Sequence, residues 1–258
     1  MANKKINKQL RDTVFDFLVE MFQEARKETE ESTKKEEYAT WIEHYNNWID
    51  LFNPFMNSLS EFDKCNSLLF LRFIELQKHL SLLNFNVLSG QYHQSIREIR
   101  YVLESAIQAC YIDIEHPEAT IEWKSREADK LYGSKLISNL DFKNDKKKML
   151  KDLYHDLSQY IHSSYEELRP TIEKGEVSNR VTFAFNRDLF YKCIDFTNRT
   201  MDAFFFMILS LYPEMVQKIK NNRKLMLSLQ ESRYKLTSGK IRNVKAKQEV
   251  EKLTEGEK

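Results

Sequence analysis

Glycine and proline, the two residues that break helices, are scarce in this sequence: 5 Gly and 4 Pro occur among 258 residues. Hydrophobic residues make up 41% of the chain and charged residues 31%, which is enough apolar material for a packed core and argues against wholesale disorder. Long stretches without a breaker favour long helices. The composition therefore predicts an all-α fold, a multi-helix bundle with long helices.

Cysteine is equally sparse, and no two of the three cysteines form a CxxC pair: Cys65, Cys110 and Cys193. This spacing excludes a zinc ribbon and a thioredoxin-like motif. The first apolar run begins at Val14 and contains Asp16 and Glu20, so it is not a signal peptide. An odd number of cysteines without a secretory leader favours a reducing, cytoplasmic environment.

Long hydrophobic runs and phosphate-binding motifs are missing too. The longest charge-free apolar run, residues 203–213, is shorter than the roughly 20 residues of a membrane span. There is no internal repeat and no glycine-rich loop of the Walker or dinucleotide-binding type. We therefore expect no membrane partner, no cofactor, and no nucleotide-hydrolysing activity of those classes.

Charge is unevenly distributed, although the net charge is only +1. Between Lys218 and Lys247 there are ten basic residues and one acid, Glu231, so this segment carries +9 and the remainder −8. Such a tail is either a solvated extension or a source of sequence-independent attraction to nucleic acid phosphates. Its basic residues are candidate phosphate ligands: Lys218, Lys220, Arg223, Lys224, Arg233, Lys235, Lys240, Arg242, Lys245 and Lys247.

Apolar residues recur at helical spacing along most of the chain. The pattern predicts helices over 6–33, 36–60, 65–88, 89–114, 118–138, 147–165 and 186–211, a short extended segment within 171–185, and a tail that is helical to about residue 236. We divide the chain into an N-terminal helical extension (1–62), a helical bundle core (63–213) and a basic, partly helical or flexible tail (214–258). Trp41 and Trp48 share one side of the second helix, which is typical of core or interface residues.

Two of these helices carry polar stripes beside an apolar face when residues are placed at 100° intervals. In the helix over 89–114 the apolar face includes Tyr92, Ile96, Ile99, Leu103 and Cys110, and the flanking stripe consists of His93, Arg97, Arg100 and Glu104. In the helix over 147–165 the core face includes Leu150, Leu153, Tyr154, Leu157 and Tyr160, and the stripe consists of His155, Ser158 and His162. If the helices are neighbours, these basic, acidic and histidine side chains converge.

Plainer interpretations exist for both stripes. Arg97 or Arg100 with Glu104 has the spacing of ordinary surface ion pairs. A histidine at the edge of an apolar face is commonly bonded to a neighbouring helix. A metal site needs more ligands than two histidines seven residues apart, so we expect no metal.

The same residues resemble the HEPN superfamily, compact helical bundles, usually dimeric, that occur in RNases, toxins and defence systems. The likeness covers about residues 65–210 and rests on the stripe of Arg97, Arg100 and Glu104, followed by LSQYIHSS, which is similar to the late helix where such families place a histidine, here His162. The resemblance implies a helical bundle that acts on RNA without a metal ion.

In catalytic members an arginine precedes that histidine with four to six residues between them, and the pair cleaves RNA: the histidine transfers protons and the arginine stabilises phosphate charge. Here the corresponding positions hold Leu157, Asp156 and His155, so the arginine is absent. Arg72 and His79 have the required spacing, which chance explains. Either His155 or Arg97 supplies the missing group, or the bundle does not cleave RNA.

Two functions follow as hypotheses. The first is a HEPN-like protein that engages nucleic acid, RNA in the first place, as a defence or toxin-related factor with weak or absent metal-independent RNase activity. The second is a non-catalytic all-α dimeric adaptor whose aromatic faces, including Trp41 and Trp48, bind a protein partner.

Overall fold

The computed structural model of this chain describes residues 32–60, 66–160 and 185–221, together with residues 23, 229 and 235–237. These ranges contain helices and turns and no strand, which confirms the predicted all-α fold for the described part of the chain. Its helices are α1 (Ser32–Ser60), α2 (Leu68–Leu88), α3 (Tyr92–Glu115), α4 (Ile121–Ala128), α5 (Gly133–Asn139), α6 (Asn144–Ser158), α7 (Arg187–Leu211) and α8 (Met215–Asn221).

Helix α3 is the centre of the bundle. It packs against α2 and α7 along its length, and against α4, α5 and α6 through shorter contacts. The predicted apolar face of α3 is buried, including Ile96, Ile99, Leu103 and Cys110. Its polar stripe therefore lies at the edge of the core, where neighbouring helices meet it.

The predicted single helix over 118–138 is wrong, because α4 and α5 are separate helices. A turn at Asp129 and Lys130 ends α4, and Tyr132 adopts an extended conformation (φ −113°, ψ 118°) before α5 begins. The side-chain amide of Gln108 on α3 donates to the Leu131 carbonyl at 2.7 Å, which satisfies a backbone group that a continuous helix would have used.

Several other predictions fall outside the described residues. They are the helix over 6–33 apart from residues 23, 32 and 33, and the extended segment VTFAF (181–185) apart from Phe185. The end of the helix over 147–165, from residue 161 onward, also lies outside them. The described part of that last helix, α6, begins three residues earlier than predicted, at Asn144.

Trp41 and Trp48 are fully buried, and their rings meet edge to face with centroids 5.2 Å apart. Each indole N–H donates at 2.8 Å to an amide oxygen, Trp41 to Asn84 on α2 and Trp48 to Asn198 on α7. The core interpretation is confirmed. The expectation that these rings dock a partner is wrong, because burial leaves them no accessible surface.

A buried ion pair joins the start of α2 to α3 and α4. The Lys124 ammonium donates to Asp113 at 2.8 Å, and both side chains are buried. Asp113 also accepts from the backbone N–H groups of Leu68 and Leu69 at 3.0 and 2.9 Å, and from the Ser67 hydroxyl at 2.9 Å. One carboxylate therefore satisfies the first amides of α2 and the cation of α4.

Part of the basic tail is packed on the body of the protein. Leu229, Leu236 and Thr237 are buried. The Asp202 carboxylate of α7 accepts from the backbone N–H groups of Leu236 and Thr237 at 2.8 and 2.9 Å, and the Thr237 hydroxyl donates to the Asp202 carbonyl at 3.1 Å. These described tail residues are anchored rather than a free extension.

Burial raises the pKa of Asp202 above its ordinary value, although the N–H groups of Leu236 and Thr237 oppose the shift. A raised folded pKa means that the contribution of Asp202 to stability is complete below the ordinary carboxyl pKa and is lost as pH rises through the folded value. Asp202→Asn should therefore flatten the pH dependence of the unfolding midpoint under mildly acidic conditions. The carboxamide also presents an N–H group where an acceptor is needed, so we expect the Leu236 and Thr237 amides to exchange hydrogen at least tenfold faster at neutral pH.

Hydrogen exchange of the full chain, resolved by peptide, measures this effect. Asp188→Asn is the matched control, because Asp188 is an exposed carboxylate in the first turn of α7, far along the helix from Asp202. Equal protection of residues 236 and 237 in wild type and Asp202→Asn would contradict the anchoring role.

Among the described helices, none combines the length and the hydropathy that a membrane-spanning helix needs.

Candidate functional site

Helices α3 and α6 are neighbours, and the polar stripe of α3 lies along the seam between them. The α6 residue that meets this stripe is Tyr154, whereas His155 and Ser158, the described residues of the predicted α6 stripe, bond to residues near them in the sequence. The Arg100 guanidinium of α3 donates to the Tyr154 hydroxyl of α6 at 2.7 Å, and that hydroxyl donates to the Glu104 carboxylate at 3.1 Å. Arg100 and Glu104 are also paired directly at 3.8 Å. Arg100, Glu104 and Tyr154 therefore form one hydrogen-bonded triad across the seam.

Tyr154 is the member of this triad that helical periodicity assigned to the core. Its ring is half-buried, and the Arg100 guanidinium carbon lies 4.5 Å from the ring centroid. Burial and then the Glu104 carboxylate raise the pKa of Tyr154, while Arg100 opposes the shift. Tyr154 is thus held as a neutral phenol that accepts from a cation and donates to an anion.

Arg100 itself is largely enclosed. Its Nε and Nη1 atoms are buried, and within the described residues neither atom has a hydrogen-bond acceptor. Because solvent does not reach these two atoms, a ligand does not reach them either without movement of the seam. The arrangement makes Arg100 a cation that holds the seam together, with Arg97 one turn earlier as the exposed arginine of the stripe.

A second cluster occupies the end of the seam where α6 finishes. The Lys192 ammonium of α7 donates to the Tyr160 hydroxyl at 2.5 Å. The half-buried His93 of α3 lies against the same tyrosine, with ring centroids 6.4 Å apart. Helix α3 thus brings an imidazole, and α7 an ammonium group, to Tyr160, which follows the end of α6. Tyr160 stands two residues before His162 in the sequence. We call Tyr160, Lys192 and His93 the cationic end of the seam.

His155 and Ser158, the two described residues of the predicted α6 stripe, have partners close to them in the sequence. His155 is exposed, and its Nε2 lies 3.2 Å from the Gln159 amide nitrogen. The Ser158 hydroxyl donates to the Tyr154 carbonyl at 2.5 Å, an ordinary bond within a helix. Neither contact is a catalytic arrangement.

His162 lies outside the described residues, so its position relative to Arg97 and Arg100 stays a prediction. Most of the basic tail does too: Arg223, Lys224, Arg233, Lys240, Arg242, Lys245 and Lys247. Lys218 and Lys220 belong to α8, and Lys235 is an exposed residue beside the Asp202 anchor.

Sequence reasoning missed a pair on the other side of α3. His79 of α2 bonds through Nδ1 to the Glu98 carboxylate, and the half-exposed Tyr101 ring lies 5.4 Å from the imidazole. Arg72, which has motif-like spacing from His79, is paired instead with Glu75 at 2.9 Å. Periodicity could have placed Glu98 and Tyr101 on one edge of α3, but nothing in the sequence shows which helix faces that edge.

Chemistry that depends on metals or thiols finds little support in the described part of the chain. Its residues include no group of three or more His, Cys, Asp or Glu side chains placed to hold a metal ion. Cys110 and Cys193 are buried, and burial raises the pKa of both thiols, so these two side chains are protonated core residues.

Comparisons with models of protein families, with curated proteins and with solved structures give no significant match to this chain. The HEPN likeness therefore stays a prediction from the sequence pattern.

Proposed function

We propose that this protein is a HEPN-like helical bundle that binds nucleic acid, RNA in the first place, at the cationic end of the α3–α6 seam, with weak or absent RNase activity. A role as a defence or toxin-related factor follows from the same resemblance. The observation that carries the proposal is the convergence of Lys192 and His93 on Tyr160, which belongs to the same LSQYIHSS motif as His162.

Two exposed cations at this cluster can contact an anionic ligand, although the exposed Asp188 and Asp195 flank Lys192 on the same face of α7. Lys192 is exposed, and Arg97 is exposed one turn after His93 on α3. Arginine and lysine side chains supply most phosphate contacts in nucleic acid complexes, and such contacts need no particular base. The anchored tail residue Lys235 adds an exposed cation on another side of α7.

The geometry supports binding more than cleavage. Arg100 is engaged by Tyr154 and Glu104, and the described contact of His155 is with the neutral Gln159. A catalytic histidine needs a cation that stabilises the phosphate beside it. The position of that cation in catalytic HEPN members is not an arginine here, so we expect the wild type to cleave RNA weakly or not at all, and any cleavage that it shows to be lost in His162→Ala.

Removal of the exposed cations should weaken RNA binding. We expect Lys192→Ala and Arg97→Ala each to raise the dissociation constant for a single-stranded RNA by about 5–10-fold at low salt, and to reduce the slope of log affinity against log salt by about 1. Fluorescence anisotropy of a labelled RNA, titrated at several salt concentrations, measures both quantities.

Lys130→Ala is the matched control, because Lys130 is an exposed lysine between α4 and α5 that is paired with Glu127. The proposal is wrong if the wild type does not bind RNA at low salt, or if Lys130→Ala has the same effect as Lys192→Ala. Tyr160→Phe separates positioning from charge: it keeps Lys192 but removes the hydroxyl that holds it, so affinity should fall by less than in Lys192→Ala.

The second candidate function is the all-α adaptor, a protein that acts by binding another protein chain. The observation in its favour is a row of exposed apolar side chains on the outer face of α2. Trp41 and Trp48 no longer support it.

A further inference from the structure

The charged residues of α6 are sorted onto two adjoining edges of the helix. At 100° per residue, Lys147, Lys148 and Lys151 fall within an arc of about 120° that begins at Tyr154, the residue that meets α3. We call these three residues the lysine edge. The aspartates of α6 share the next arc, of about 40°, on the side of α7: Asp145, Asp152 and Asp156.

The fold supplies counter-charges to the aspartates but not to the lysine edge. Asp156 pairs with Arg199 of α7 at 2.9 Å, and Asp145 pairs with Lys146 at 3.3 Å. None of the three lysines takes part in the ion pairs that the described residues form. Lysines three and four residues apart on a helix repel one another. The folded chain therefore concentrates positive charge on this edge without balancing it from within.

The ammonium groups of the lysine edge can reach a ligand. Lys148 and Lys151 are exposed, and Lys147 is half-buried. The Lys147 ammonium donates to the Ser138 carbonyl of α5 at 2.9 Å. An ammonium group has three N–H donors, so this bond holds Lys147 in place and leaves two donors for a phosphate.

The lysine edge lies in line with the cationic end of the seam. Helices α3 and α6 are antiparallel, because His93 lies against Tyr160 and Arg100 bonds to Tyr154. The exposed Arg97 stands between these two contacts on α3. The lysine edge begins one turn before Tyr154 on α6. Positive side chains therefore follow one another from the end of α6 back to its first turn.

We propose that RNA bound at the cationic end of the seam continues along α6, with its phosphates on the lysine edge. This inference rests on the proposed function and adds the length of the bound strand. From Tyr160 back to Lys147 the axial distance is about 20 Å at 1.5 Å per residue. A stacked strand covers that distance with about six nucleotides, at about 3.4 Å each.

The recognition is electrostatic and independent of base sequence. Lysine binds phosphate as a point charge and carries no fixed geometry for reading a base. Exposed acids border the lysine edge, Asp141 before α6 and Asp152 on the adjoining arc. They keep the strand on the α3 side of α6, because a phosphate that moved toward α7 would meet the aspartates.

A triple variant of the full chain tests this path. Lys147→Ala, Lys148→Ala and Lys151→Ala together should raise the dissociation constant for a twelve-nucleotide single-stranded RNA by about tenfold or more at low salt, and reduce the slope of log affinity against log salt by about 2. Fluorescence anisotropy of the labelled RNA measures both quantities. Circular dichroism checks that the variant is folded.

Two further triple variants separate position from charge and from side-chain shape. Lys35→Ala, Lys78→Ala and Lys130→Ala together remove the same charge from exposed lysines of other segments, so affinity should change by less than about twofold. The variant K147R/K148R/K151R keeps the charges and should bind RNA as the wild type does. If the arginine variant lost as much affinity as the alanine variant, the electrostatic path would be wrong.

The length of the RNA gives an independent readout. A four-nucleotide RNA, about 14 Å long when stacked, does not reach from Tyr160 to Lys147. The gain in affinity from four to twelve nucleotides should therefore be about tenfold smaller in the alanine variant of the lysine edge than in the wild type. Competition against the labelled twelve-nucleotide RNA measures the short one. An equal gain in both proteins overturns the path.

Failure of the path differs from failure of the proposed function. If Lys192→Ala weakens RNA binding while the alanine variant of the lysine edge behaves as its control does, the path is wrong and the site at the cationic end stands. If the wild type binds no RNA at low salt, the proposed function is wrong and the path fails with it.

Discussion

Replacement of Asp113 by alanine is expected to lower the free energy of unfolding by about 3–5 kcal/mol, the usual cost of breaking a buried ion pair on one side. The Lys124 ammonium would be left buried with two carbonyl acceptors, Asn66 at 2.5 Å and Pro117 at 3.2 Å, and without a counter-charge. The first amides of α2, Leu68 and Leu69, would also lose their acceptor. Urea denaturation followed by circular dichroism measures the change.

The companion variants separate the ion pair from the cap. Lys124→Met should cost a similar amount, because it leaves the Asp113 carboxylate buried without its cation. Ser67→Ala removes only the hydroxyl that accepts from the Phe70 N–H at 3.1 Å and donates to Asp113, so about 0.5–2 kcal/mol is expected.

A double variant, Asp113→Leu with Lys124→Met, removes both charges together. Its cost should be smaller than the sum of the two single effects, because neither charge is left alone in the core. If Asp113→Ala lowers the free energy of unfolding by less than about 1 kcal/mol, the ion pair does not stabilise the fold as its burial indicates.

Replacement of Trp48 by alanine should cost about 3–5 kcal/mol, because it empties the volume of a fully buried indole. The indole N–H also donates to the side-chain oxygen of Asn198 on α7, and that oxygen would lose its donor. Trp48→Phe should cost less, since it keeps most of the apolar contact with Trp41 and removes the hydrogen bond. Thermal unfolding by calorimetry compares the two variants.

Trp123→Ala is the control for this prediction. Trp123 on α4 is a partly exposed tryptophan, so its replacement should change the free energy of unfolding by about 0.5 kcal/mol or little more. If Trp48→Ala and Trp123→Ala had equal effects on stability, the inner position of Trp48 would be in doubt.

Periodicity located most of α3 and α7 because one continuous face of each helix is buried in the same core. For α2 it predicted the helix but not which of its sides is covered. Residues 65–88 predict a helix surrounded on most sides, since apolar residues occur all around it. In the described structure one side of that helix is exposed and carries Leu71, Ile74, Leu82 and Phe85. An apolar residue has the same sequence signature whether a neighbouring helix or nothing covers it.

The candidate site was predicted in part. The stripe of Arg97, Arg100 and Glu104 lies at the edge of α3, and α6 is its neighbour. Tyr154 and Tyr160 were assigned to the core on their ring positions alone. Tyr160 is indeed buried and Tyr154 is half-buried. Their hydroxyls decide the chemistry as well, because a phenol removed from water needs a polar partner, and these two find Arg100, Glu104 or Lys192.

The sequence by itself determined that this chain forms long helices, because breakers are rare and apolar residues recur at 3.6-residue spacing. It also determined which edge of α3 is polar. Only the tertiary structure decided which side chain each polar group meets: Asp113 with Lys124, Asp202 with residues 236 and 237, and Arg100 with Tyr154. The physical reason is that helical periodicity is a local property, whereas a hydrogen bond between helices depends on how distant segments pack.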